Sequence, residues 1–137
     1  MKKWFIIAAI IAIPVIVWAQ SWFPANQKTM QWDAVTTLEG GAPLPSGSTV
    51  KYVCYTKTPT VPTPVQVGVS DIPQFTFTFT VEGKYYLGVR SQRIEAGAVI
   101  SESAISWSND PLFAQAGNTF GIVFYYNPAA PGGLRAE

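Results

Sequence analysis

From Gln74 to Thr80 the chain reads QFTFTFT, an unbroken alternation of Phe and Thr. Side chains along a β-strand point to opposite faces in turn, so this period of two puts Phe75, Phe77 and Phe79 on one face and Thr76, Thr78 and Thr80 on the other. A helix, with its period of 3.6, scatters both sets. The run therefore specifies a strand with one apolar face, and the same period recurs along the chain. In KTMQWDAV (28–35) Met30 and Trp32 alternate with polar neighbours; in TVKYVCYT (49–56) Val50, Tyr52 and Cys54 share a face; in KYYLGVRSQ (84–92) Tyr85, Leu87 and Val89 do so. ISESAISWS (100–108) and TFGIVFYY (119–126) complete the strand candidates, and VQVGV (65–69) reads as a short edge strand. Between them lie breakers such as EGGAPLPSGS (39–48) and the proline-rich stretch from Lys57 to Gln74, where proline removes the ladder donor. Six or seven short strands at turn-separated spacing predict an all-β chain, a β-sandwich.

The strands are preceded by a segment of another kind. Lys2 and Lys3 are followed by the apolar run WFIIAAIIAIPVIVWA, residues 4–19, and then by polar Gln20 and Ser21. Its 16 residues are short for a membrane span, and Val17 and Ala19 occupy the small-residue positions of a signal-peptidase site, so cleavage before Gln20 is expected. The alternative is an uncleaved anchor. Either reading exports the remainder, because the paired lysines stay on the cytoplasmic side. The expected organisation is a signal peptide or anchor at 1–19, a sandwich at 20–126 and a Pro/Gly-rich tail at 127–137. The exported product is periplasmic, secreted or displayed at the cell surface, and meets a membrane only through residues 4–19 if these are retained.

Charge excludes several functions. Charged residues make up 12% of the chain and aromatics 14%, and without Lys2 and Lys3 seven basic residues face eight acids. A nucleic-acid partner is not expected from so little positive charge. The chain has no His, which removes the Ser-His-Asp triad, His-ligated zinc and imidazole acid–base chemistry. The carboxylates Asp33, Glu39, Asp71, Glu82, Glu95, Glu102, Asp110 and Glu137 are scattered over loops and strand ends. The expectation is a protein that is no enzyme and carries no cofactor or metal. Cys54 is the single cysteine, so no internal disulfide can form, and it is expected as a buried apolar residue.

Four segments, MQWDAV, VKYVCYT, GKYYLGVRS and SESAISWSND, resemble in order and spacing strands B, C, F and G of a fibronectin type III domain, over about residues 27–110. The resemblance implies an immunoglobulin-like sandwich in which Trp32 is the inward tryptophan of strand B, Tyr52 the aromatic of strand C, and Tyr85, Leu87 and Val89 the signature of strand F. It also implies that the Tyr85 hydroxyl ties back to the backbone before its strand, and that QFTFTFT is strand E with Phe77 in the core. Strand A is hardly represented by SWFPAN (21–26), RIEAGAVISES (93–103) is long for an F–G connection, and DPLFAQAGN (110–118) separates TFGIVFYY from the rest.

Two surfaces are candidates for partners. In TFGIVFYY, Phe120, Ile122 and Phe124 form one apolar face and Val123 and Tyr125 the other, which suits either a covered core strand or one that pairs with another chain. The loops around EGGAPLPSGS and RIEAGAVISES are expected at one end of the sandwich, with Arg93 and Glu95 available to a partner. These features lead to an adhesion-type protein-interaction module. Two alternatives are a structural subunit of a surface, filament or phage assembly, self-associating through the C-terminal strand, and a glycan-binding domain using exposed rings such as Trp22 and Trp107.

Overall fold

The computed structural model describes residues 20–137; the signal or anchor reading of residues 1–19 lies outside the described residues. Nine strands form: β1 (Ser21–Pro24), β2 (Gln27–Gln31), β3 (Thr49–Lys57), β4 (Val65–Ser70), β5 (Gln74–Thr78), β6 (Gly83–Glu95), β7 (Ala98–Glu102), β8 (Ser106–Trp107) and β9 (Phe120–Phe124). Among the described residues the only helical element is a single 3-10 turn at Gln115–Gly117, and no helix is long and apolar enough to cross a membrane. The strands make two sheets, a large one in the order β1-β9-β6-β3-β4 and a small antiparallel pair of β2 and β5.

The core lies where the sheets meet. Phe77 and Phe79 come from the small-sheet side, and Tyr52, Cys54, Leu87, Val89, Ile122 and Phe124 from the large sheet. In the β2–β5 register Met30 sits opposite Phe75 and Thr29 opposite Thr76. The apolar residues of the alternation therefore turn inward, and on the outer face the Thr29 and Thr76 hydroxyls hydrogen-bond at 2.8 Å. Trp32 lies just beyond β2 and packs edge-on against Tyr52, with ring centroids 5.2 Å apart. The Tyr52 hydroxyl accepts the Val35 N–H at 2.9 Å, fastening the loop after β2 to the core. Tyr85 stacks on Phe79 and donates its hydroxyl to the carbonyl of Val81, four residues upstream.

Cys54 is fully buried and unpaired, and burial pushes its thiol up to about 11. At pH 8 the thiol therefore stays protonated, and the thiolate that reacts with electrophiles is scarce. Thiol labelling of the native protein is expected to be slow, and to become fast in denaturant. Fast labelling of the native state would show that β3 opens or that the thiol is accessible.

Strand β6 is the spine of the large sheet. One edge pairs with β3 from Tyr86 to Ile94, and the other is shared in succession by β9, β8 and β7. Buried Ser108 makes that composite edge continuous. Its N–H donates to the Leu87 carbonyl at 2.8 Å, its Oγ accepts the Leu87 N–H at 3.0 Å, and its carbonyl accepts the Phe120 N–H at 2.9 Å. Residues 109–119 thus leave the sheet and return at the same point, and TFGIVFYY continues the edge that SAISW began.

Three sequence expectations are corrected. SWFPAN contributes a real strand, since β1 runs parallel to β9 with Trp22 opposite Gly121. RIEAGAVISES is not a loop: Ile94 and Glu95 close on Val99 and Ala98 in a β6–β7 hairpin. Its two turn residues, Ala96 and Gly97, have φ of 49° and 78°, the left-handed pair that matches the twist of a tight hairpin. ISESAISWS is broken into β7 and β8 at Ser103, whose Oγ accepts the Ser91 N–H at 3.0 Å while its own N–H reaches the Ser91 carbonyl.

Candidate functional site

The two partner surfaces expected from sequence fare differently. In β9, Ile122 and Phe124 are buried, Phe120 packs on the core and Val123 is half-buried, while Tyr125, just past the strand, is 59% exposed. One edge of β9 is filled by β1 and the other by β6, so this strand has no free edge for a second chain. What covers it is the segment that looked too short to be a strand. Beyond β9 the chain is held down again: the Tyr126 N–H donates to Glu82 Oε1 and its hydroxyl to the Thr80 carbonyl.

The loops do come together at one end. Ser48, from EGGAPLPSGS, donates its hydroxyl to Glu95 Oε1 at 2.7 Å and accepts from Arg93 Nε at 3.3 Å, while Arg93 Nη2 pairs with the same carboxylate oxygen. These bonds hold the Glu95 carboxyl below the usual carboxylate range, the Ser48 bond contributing most and the Arg93 bond next. Arg93 and Glu95 thus neutralise each other and fasten the hairpin to the loop. Beside them lies an open groove of about 480 Å³ with Val35, Leu38, Leu44 and Val50 as its apolar lining.

A third surface, on the outer face of the large sheet, is the most distinctive. Leu87 and Val89 point into the core, so by alternation Lys84, Tyr86, Gly88 and Arg90 point out. Ile122 points in and Gly121 out. A Cβ on Gly121 would collide with the indole of Trp22, and one on Gly88 would come within 2.6 Å of the indole of Trp107. Each glycine therefore vacates the space over which a tryptophan lies against the sheet, the close approach for which glycine is suited inside a strand. Tyr86 joins the row, 5.3 Å from Trp22 with the rings inclined at 32°, and Tyr55 stands opposite Gly88 across the β3–β6 register.

Cations are interleaved with these rings. Lys84 Nζ lies 5.0 Å from the Trp22 centroid, and Lys57 Nζ lies 4.2 Å from that of Trp107 and 5.9 Å from that of Tyr86. Arg90 stands 5.7 Å from the Tyr55 ring and is paired with Glu102 at 3.1 Å. Partial burial lowers the Lys57 ammonium from its ordinary range, against an opposing pull from Asp110. Neither lysine is within ion-pair distance of a carboxylate among the described residues.

The sequence offers Trp22 and Trp107 as exposed rings; both are only partly exposed, because each lies down on its glycine, and Lys57, Lys84 and Tyr86 gather beside them on the same sheet. The readable signal was a glycine inside each of two apolar strands, Gly88 in KYYLGVRSQ and Gly121 in TFGIVFYY. No group of three or more Cys, Asp or Glu side chains able to hold a metal occurs among the described residues. No protein-family model, curated protein or solved structure matches the chain.

Proposed function

We propose that the chain is an exported, non-enzymatic binding module with a fibronectin type III-like sandwich, and that it engages carbohydrate through the outer face of its large sheet. The fold part of this reading is supported by the separation of β2 and β5 from β3, β4, β6 and β9 into two sheets, and by the tie from the Tyr85 hydroxyl to the Val81 carbonyl. The functional part is carried by one observation: two indoles that keep part of their surface in solvent, Trp22 and Trp107, are laid against the same sheet over glycines. Sugar rings present C–H faces that pack on aromatic planes, and rings fixed on paired strands are organised before the ligand arrives.

Affinity electrophoresis through gels cast with neutral and acidic polysaccharides tests the assignment. The wild-type protein is expected to be retarded by at least one of them, and the double variant Trp22→Ala, Trp107→Ala to migrate as in the polymer-free gel. Substituting Arg93 and Glu95, at the far end of the sandwich, should leave retardation intact. Loss of retardation in that loop variant but not in the tryptophan variant would move the site to the loop end, and no retardation with any polymer would defeat the reading.

Self-assembly through the C-terminal strand is disfavoured by the pairing of β9 on both edges, and assembly draws support instead from β4, which among the described residues pairs only with β3 and carries Val65, Val67 and Val69 at 44–57% exposure. Light scattering distinguishes it, since a stable oligomer at micromolar concentration argues for assembly.

A further inference from the structure

Resting on the carbohydrate reading, we infer that the ligand of the aromatic face is an acidic polysaccharide, whose carboxylates are taken by Lys57 and Lys84. A surface lysine usually extends into water, where its ammonium is best solvated, yet both are held against rings: Lys84 on Trp22, and Lys57 between Trp107 and Tyr86. An exposed cation–π contact is weak, so a ligand ring can displace the ammonium at small cost. The displaced lysine remains within a side-chain length of the ring it left. A neutral sugar stacking there would lose the cation–π contact without replacing it, whereas a uronate offers a C–H face to the indole and a carboxylate to the ammonium.

The surrounding charges agree. Arg90 is already committed to Glu102, and Asp110 acts on Lys57; Lys57 and Lys84 are the cations set on the rings, while Lys51 lies further along β3 on the same face. Two such cations among four rings match a polymer with a charge on some of its residues. Single-stranded nucleic acid, with a phosphate at every nucleotide, is matched less well, and residues 20–137 hold more acids than bases.

Polygalacturonate and its fully methyl-esterified form separate the terms, because they share the sugar ring and differ in the carboxylate charge. The wild-type protein is expected to bind polygalacturonate about tenfold more tightly than the ester, and to lose most of that preference in about 0.5 M salt, where the screening length falls to a few ångströms. The double variant Lys57→Gln, Lys84→Gln is expected to bind polygalacturonate about tenfold more weakly and to lose the preference for it over the ester, whose own binding does not fall because no ammonium has to leave the rings, each exposed ion pair being a modest contribution. Thermal unfolding of both proteins verifies that the variant is folded. Equal, salt-insensitive binding of the two polymers would overturn the acidic ligand and leave the carbohydrate platform standing. Binding of neither, with other polysaccharides also failing, would remove both, and tighter binding of oligodeoxythymidylate than of polygalacturonate would reassign the face to nucleic acid.

Discussion

Replacing Phe77 with alanine is expected to destabilise the fold by about 3–5 kcal/mol, the range for truncating a buried aromatic. Phe77 is 1% exposed and meets Phe75 edge-on with ring centroids 5.0 Å apart. It belongs to the smaller sheet, only two strands wide, which is marginal in isolation and depends on its apolar face for attachment to the larger one. Removing the ring opens a cavity at that junction, and neither β2 nor β5 has another strand on its outer side to hold it in place. Against a total stability of about 5–15 kcal/mol for a domain of this kind, the loss is a large fraction. Thr78→Ala, one residue on and facing solvent, should stay within about 0.5 kcal/mol. Urea denaturation of the two variants measures the contrast. A Phe77→Ala loss below about 1 kcal/mol would put the phenylalanines outside and overturn the register of the sheet.

That register was legible in the sequence because Phe and Thr are unambiguous about which face wants water. The same clarity extends to Tyr52 and Cys54 on β3 and to Leu87 and Val89 on β6, all of them buried. It fails where a strand is short or its partner is remote. Ser21–Pro24 has four residues and ends in proline, which looks like a linker; it is a strand because β9 supplies a parallel edge, and proline is tolerated at a sheet margin. The hairpin turn at Ala96 and Gly97 was hidden by the alanine, since a non-glycine residue with positive φ is uncommon and nothing in the letters EAGA announces it. The aromatic face was hidden for a different reason. Trp22, Tyr86 and Trp107 are far apart in the chain, and their proximity follows from the pairings of β1 with β9, β9 with β6 and β6 with β8, which no local pattern encodes.

Deleting residues 118–137 is expected to abolish cooperative unfolding, whereas ending the chain after Asn127 should leave the transition close to that of the full protein. The difference isolates β9. Residues 128–137 form no strand, and the side-chain hydrogen bond found there, from Arg135 to the Gly133 carbonyl, is internal to the tail. The longer deletion removes Ile122, which is completely buried, and Phe124, which is 7% exposed. Truncating an Ile or a Phe in a core costs about 2–5 kcal/mol, so losing both approaches the whole stability of the domain before any hydrogen bond is counted. The backbone consequences add to this. β1 loses the strand it pairs with, β6 loses its partner from Gly83 to Tyr85, and Trp22 loses the surface of Gly121 on which it lies. Ile122→Ala should fall between the two truncations, less stable by about 2–5 kcal/mol but still cooperative. Circular dichroism during thermal unfolding reads all three. If the protein lacking residues 118–137 melts cooperatively with β-sheet intact and has lost self-association, β9 serves assembly and the β1–β9–β6 order of the sheet is wrong. If the Asn127-terminated chain folds and the chain lacking residues 118–137 does not, the strand that looked adhesive in the sequence is the structural link between β1 and the rest of the sheet, and binding belongs to the side chains it positions.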